Sequence, residues 1–144
     1  MIIILTGVSG SGKSTVGKLL AKETGWPFYE GDDYHSPANI DKMEKGIPLT
    51  DKDRQAWLES LEKLITELDA RGKNAVISSS ALKEDYREFL KGQGREVNFV
   101  FLKGDFDLIK ERLKKRKNHF FNKDLLESQF RALEEPHRDL AVDI

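Results

Sequence analysis

Gly7-Val8-Ser9-Gly10-Ser11-Gly12-Lys13-Ser14-Thr15 fits the phosphate-binding pattern G-x-x-x-x-G-K-[ST], and the residues on either side supply its context. Ile2-Ile3-Ile4-Leu5 before it is a short apolar, β-branched run that predicts a buried strand. Val16, Leu19 and Leu20 after it fall on one face of a helix that Gly25 can end. The glycines (Gly7, Gly10, Gly12) let main-chain N–H groups of the loop turn inward around phosphate oxygens, where a Cβ would clash. The helix that follows adds unpaired first-turn N–H groups and the positive end of its dipole. Lys13 would reach the β- and γ-phosphates, and the Ser14 hydroxyl would ligate Mg²⁺. All nine residues are therefore candidate nucleotide-binding positions, and the expected ligand is a nucleoside triphosphate.

Outward from the loop, strand and helix patterns alternate. That alternation predicts an α/β domain with a mainly parallel, five-stranded sheet between helical layers. Pro27-Phe28-Tyr29 reads as a second strand that ends at Glu30-Gly31-Asp32-Asp33. Residues 36–45 read as a short helix closed by Gly46. Thr50 caps the next helix with Asp53 at N3, and Trp57, Leu61, Leu64, Ile65 and Leu68 recur along it at helical spacing. Ala75-Val76-Ile77 gives a third strand running into Ser78-Ser79-Ser80. A helix over 83–91 is expected to turn Tyr86, Phe89 and Leu90 to the core. A fourth strand follows at 97–102, then a helix capped by Asp105, then one carrying Leu126, Phe130 and Leu133, then a fifth strand at Leu140-Ala141-Val142.

The chain has 144 residues, a size for one domain over 1–144. Its 24 Lys+Arg against 25 Asp+Glu leave a net charge of -1, so no overall field draws it to nucleic acid or a membrane. The absence of cysteine excludes a disulfide framework and a Cys-based zinc site. The apolar opening is too short for a secretory signal, and nothing approaches a membrane span, so a cytoplasmic setting is expected. The basic run Lys110-Glu111-Arg112-Leu113-Lys114-Lys115-Arg116-Lys117 looks like a nucleic-acid patch, but its place at the end of the helix after the fourth strand argues otherwise.

A switch-type GTPase would read guanine with Asn-Lys-x-Asp. The nearest match, Asn122-Lys123-Asp124-Leu125, has its acid one position early. The third strand ends in serines and the fourth in Lys103-Gly104, so neither offers the usual strand-end acid for a metal. Asp32 and Asp33, leaving the second strand at the same carboxyl edge of the sheet, are the candidates instead. This combination predicts a small-molecule kinase.

Several stretches together resemble the gluconokinase family. They are Glu30-Gly31-Asp32-Asp33-Tyr34-His35, Asn39-Ile40-Asp41-Lys42-Met43, Gly46-Ile47-Pro48-Leu49-Thr50-Asp51-Lys52-Asp53-Arg54, and Ser80-Ala81-Leu82-Lys83 with Tyr86-Arg87. Leu102-Lys103-Gly104-Asp105 and the run from Arg112 through Arg116, His119, Ser128-Gln129-Phe130 and Leu133-Glu134 to Pro136 complete a match over nearly the whole chain. The resemblance implies a P-loop kinase fold with a short lid at about 112–123, a possible homodimer, and transfer of the ATP γ-phosphoryl group to the 6-hydroxyl of D-gluconate. The chain departs from the family pattern at Glu30, where Asp is frequent, at Ser79, where Cys is usual, and at Ser36, which separates His35 from Pro37. Family members also continue past the fifth strand through an adenine-holding loop and a covering helix. The sequence here stops at Ile144, so that C-terminal helix is expected to be absent.

With that resemblance, Asp32 is the candidate to orient the acceptor hydroxyl and to join Ser14 at the metal, and His35 to bond a substrate hydroxyl. A carboxylate substrate calls for a guanidinium fork or an ammonium, which makes Arg54, Arg87 and Lys83 candidates. Arg112 and Arg116, one helical turn apart, would close over the phosphates from the lid, with Arg116 stabilising transferred charge beside Lys13, and His119 would lie near the lid tip. Two rival readings remain open at this point: a kinase for another small polar acceptor such as shikimate, and a nucleotide-binding module without catalysis.

Overall fold

A computed structural model describes residues 1–116 and 122–144 of the chain. Its centre is a parallel sheet in the order β2-β3-β1-β4-β5, formed by β1 (Ile2–Thr6), β2 (Phe28–Glu30), β3 (Ala75–Ser78), β4 (Val97–Lys103) and β5 (Leu140–Asp143). Parallel strands demand crossovers, and the chain supplies helices for them: α1 (Lys13–Thr24), α2 (Pro37–Glu44), α3 (Asp51–Ala70), α4 (Glu84–Lys91), α5 (Phe106–Lys114) and α6 (Lys123–Ala132). The β1 run is buried because it lies between β3 and β4, with Ile4 opposite Ile77 on one side and Phe99 on the other.

The two faces of the sheet are packed differently. Ile2, Ile4, Ile77, Val97 and Phe99 meet Trp57, Leu61, Ile65 and Leu90 of α3 and α4 in the main core. Truncating one of these, Leu61→Ala for instance, removes a fully buried side chain, worth about 2–5 kcal/mol. The opposite face joins Leu5 and Val76 to Ala21, with Leu20 and Phe28 partly buried beside them. Helix α1 rests here through Gly17 and Ala21 rather than through its larger residues. Val16 and Leu19, expected to face the core, are exposed instead. Gly17 lets α1 settle so close to β2 that an added Cβ would stand 2.4 Å from Phe28, and this tight seat turns Val16 and Leu19 outward. Leu140 and Val142 of β5 are exposed as well.

Local signals set the helix ends. Thr50 and Asp53 form a reciprocal capping box at α3, worth about 1 kcal/mol. The Asp53 carboxyl is pulled down to about 2, first by the Thr50 N–H and then by Lys42. Ser36 caps α2 with Pro37 at its first position, Asp105 caps α5, and Gly25 closes α1 in the left-handed conformation. Asn122, the residue that resembled a guanine reader, is the N-cap of α6. On the eight-residue α4, Tyr86, Arg87 and Leu90 share the inward face, so Phe89 falls off it and is exposed, against expectation.

Candidate active site

The carboxyl ends of β1, β2 and β3 open onto one cleft of about 600 Å³. The phosphate loop leaves β1 and turns into α1 at Gly12, whose φ of 95° is left-handed and whose missing side chain caps none of the first-turn amides. Those N–H groups are therefore open to an anion, and their dipole end faces it. The Lys13 ammonium lies over the loop, donating to the carbonyls of Gly7 at 3.1 Å and Val8 at 2.9 Å. Desolvation pulls its pKa below 10.5; Asp32 and then Glu30 oppose that shift, and Arg116 adds to it. Ser11 is buried with a hydroxyl that has no partner among the described residues. The Ser9 N–H is held from outside the loop by Gln129 Oε1 of α6, at 2.6 Å.

β2 delivers the opposing wall. Gly31 lets its exit run against the end of β3, where a Cβ would sit 2.0 Å from the Ser78 carbonyl. Just before it, Glu30 accepts from the Ser14 hydroxyl through one carboxylate oxygen and from Ser78 Oγ at 2.6 Å through the other. Just after it, Asp32 stands exposed in the cleft, across from Lys13. The strand-end pair of acids thus divides: Glu30 is tied to the helix serine, while Asp32 lines the cavity with no side-chain partner among the described residues. The Glu30 and Asp32 carboxylates and the Ser14 hydroxyl are oxygen donors of the kind Mg²⁺ accepts, so these residues fit that ion.

His35 is 8% exposed, stacked on Trp57 with ring centroids 4.5 Å apart. Burial lowers its pKa below 6.5, with Asp32 pulling the other way. Asn39 fixes its tautomer. The Asn39 amide nitrogen donates to the Asp53 carbonyl at 2.7 Å and stands 3.3 Å from His35 Nδ1. Because an amide nitrogen only donates, Nδ1 accepts and the imidazole proton sits on Nε2. Trp57 is anchored in turn by its own N–H to the Gly31 carbonyl, 2.8 Å away.

The basic candidates separate. Among the described residues Arg54, lining the cleft, makes a long bond to the Tyr86 hydroxyl, 3.4 Å, and meets Asp51 at 3.9 Å, so its guanidinium keeps donors for a ligand. The Lys83 ammonium is turned aside to Asp51 at 2.9 Å and is not part of the cleft lining. Arg87 is 5% exposed, spends its fork on backbone carbonyls, and is not among the described residues that line the cleft. Arg112 is exposed on α5, and Arg116 follows that helix close enough to Lys13 to influence its charge. His119 and the lid tip lie outside the described residues.

Three participants are absent from the sequence-based candidates. The sequence points to Asp32 and Asp33 as the metal acids, whereas Glu30, just before them at the strand end, is the one that accepts from Ser14. Asn39 and Gln129 carry no signal by themselves, since a lone amide on a helix is ordinarily solvated.

Comparison with known proteins agrees with this geometry. The family model described as shikimate kinase matches residues 9–142. The thermoresistant gluconokinase of Escherichia coli is 44% identical, over 99% of this chain and 84% of its own. A probable gluconokinase of Mus musculus is 44% identical, over 94% of this chain and 83% of its own. The crystal structure of a gluconokinase from Sinorhizobium meliloti superposes with a TM-score of 0.87 at 45% identity, covering 98% of this chain and 81% of that one. With the phosphate loop and its opposing acid in place, and likeness of this extent at both levels, the chain belongs to the gluconokinase family of P-loop kinases.

Proposed function

We propose that the chain catalyses ATP- and Mg²⁺-dependent phosphorylation of D-gluconate on its 6-hydroxyl. One observation carries the reading: Lys13 and Asp32 face each other across a single cleft that also holds an under-used guanidinium, Arg54. The relatives named gluconokinase supply the acceptor's identity.

In this reading the loop amides and Lys13 hold the β- and γ-phosphates, and Arg116, with Arg112 behind it, approaches them from the lid at about 112–123. Ser14 with Glu30 and Asp32 would hold Mg²⁺, which neutralises phosphate charge when bound. Arg54 forks onto the gluconate carboxylate. The His35 Nε2–H donates to a sugar hydroxyl, its ring kept in plane by Trp57 and kept neutral by burial. Asp32 orients the 6-hydroxyl and receives its proton as the oxygen–phosphorus bond forms and the bond to ADP breaks. Bond making is loose in such transfers, so positioning supplies most of the rate. Lys83 acts only indirectly, by holding Asp51 beside Arg54. Cytoplasmic action, a homodimeric state, and no nucleic-acid or membrane partner belong to the same reading and rest on the family likeness and composition.

A coupled ADP-release assay across sugar acids and shikimate tests the acceptor. Stimulation by gluconate well above the other compounds is expected. A clear response to shikimate with none to gluconate would overturn the assignment, and ATP binding without any turnover would favour the silent-module alternative.

A further inference from the structure

The strongest feature outside this chemistry is the buried Arg87. An arginine cannot shed its charge on burial, so its surroundings must compensate for lost water. Here the compensation comes from three backbone carbonyls instead of a carboxylate. One terminal nitrogen donates to Ala81 at 2.9 Å and Leu82 at 3.0 Å, and the other to Glu134 at 2.7 Å. The first two carbonyls lie in the β3–α4 loop, and the third lies just beyond α6.

The same two segments are joined twice more. The Glu134 N–H donates to the Leu82 carbonyl at 2.8 Å, and the Glu134 carboxylate accepts from the Glu84 N–H at 2.8 Å. Just before these ties stands Ala81, fully buried, with a φ of 30°. A non-glycine residue in that region persists only where its surroundings hold it there. The held loop is part of the cleft, since Ser80 and Leu82 line it on either side of Ala81. At the other end of the tie, α6 carries Gln129, which lines the same cleft and holds the Ser9 N–H of the phosphate loop.

We propose that Arg87 is a positioning residue: a strut that locks the strained Ala81 turn to the chain leaving α6. Through it the acceptor-facing loop and the helix behind the lid keep one register, so the acceptor meets a preset surface. A lysine at this position supplies charge but no fork, and cannot serve carbonyls from two segments at once. The functional side of this proposal rests on the gluconate kinase reading; the strut itself does not.

The test compares Arg87→Lys and Glu134→Ala with the wild type, by steady-state kinetics varying each substrate and by amide hydrogen exchange. For Arg87→Lys, a gluconate KM raised roughly tenfold or more is expected, with the ATP KM within about twofold of wild type. Exchange at the Glu84 and Glu134 amides should speed up together, while the phosphate-loop amides other than Ser9, which Gln129 of α6 holds, keep their rates. Glu134→Ala removes only the side-chain tie, and a gluconate-only rise of roughly threefold is expected; it decides the matter if Arg87→Lys does not fold. Parallel rises in both KM values, or unchanged gluconate KM in the folded variants, would overturn the proposal. A wild type inactive on gluconate would remove the acceptor assignment, and the exchange measurement would still decide the strut: unaltered rates at Glu84 and Glu134 would refute it.

Discussion

The two walls of the cleft are built on different principles. The phosphate wall is main chain: consecutive amides from 7 to 15, shaped by glycines, with one ammonium laid over them. The opposite wall, where the proposed acceptor would lie, is side chains gathered from far apart, with Asp32 from the end of β2, His35 before α2, Arg54 on α3, and Ser80 and Leu82 behind β3. A main-chain wall is specified by local conformation and tolerates side-chain change. A side-chain wall depends on every contributor and on whatever holds each one still. His35 illustrates the dependence: Trp57 stacks on it, Asn39 sets its tautomer, and Asn39 is itself fixed by the Asp53 carbonyl.

Lys13 is the exception that marks the limit of the first principle. In the proposed mechanism its charge serves the transition state, so Lys13→Ala should give the largest effect of all. A loss of at least about 10³-fold in kcat is expected, because a preorganised cation in a desolvated site is being removed. Circular dichroism and thermal melting should show the fold intact, since the ammonium's partners are two carbonyls that water can satisfy. A variant retaining a tenth of wild-type turnover would mean that the amides alone suffice, and would sharpen the contrast between the two walls.

The same contrast explains what the sequence could reveal. The phosphate loop is contiguous, and each residue type has one physical reason for its place, so strand, loop and helix were readable together. The succession of strands and helices and the α3 capping box follow from equally local or periodic signals, whereas the order β2-β3-β1-β4-β5 comes from pairings between distant strands. The acceptor wall was readable only through resemblance, and unevenly. Arg54 and Arg87 look alike in sequence as helical arginines, yet one opens on the cleft and the other closes on carbonyls, because their helix faces point to different neighbours. Lys83 is diverted by Asp51, a pairing 32 residues distant that no local pattern encodes. Val16 and Leu19 kept an apolar periodicity that α1 does not use, because Gly17 brings the helix down on its small side.

Arg54 offers the intermediate effect. If it forks onto the acceptor carboxylate, Arg54→Lys keeps the charge and loses one of two parallel bonds, costing about 1.5–3 kcal/mol. That corresponds to a gluconate KM raised roughly tenfold to a hundredfold, with the ATP KM held within about twofold. Isothermal titration with gluconate in the presence of a non-hydrolysable ATP analogue would report the same loss directly. Equal affinity in the variant would take the carboxylate away from Arg54 and leave the acceptor wall without its anchor.

Ser11 should give the smallest effect and the finest distinction. It lies within the phosphate loop, is 1% exposed, and its hydroxyl finds no partner among the described residues. A buried, unpaired hydroxyl costs about 1–3 kcal/mol, so Ser11→Ala should raise the thermal midpoint of the free protein by about 2–4 °C per kcal/mol recovered. If the wall is purely main chain, the ATP KM should stay within about twofold, because the Ser11 N–H is untouched. If instead the hydroxyl waits for a phosphate oxygen, the variant would be more stable when empty yet bind ATP roughly tenfold more weakly. Thermal shift with and without ATP separates the two outcomes in one experiment. The first outcome is expected, since a cradle of backbone amides already supplies an anion with donors from the loop and the first turn of α1.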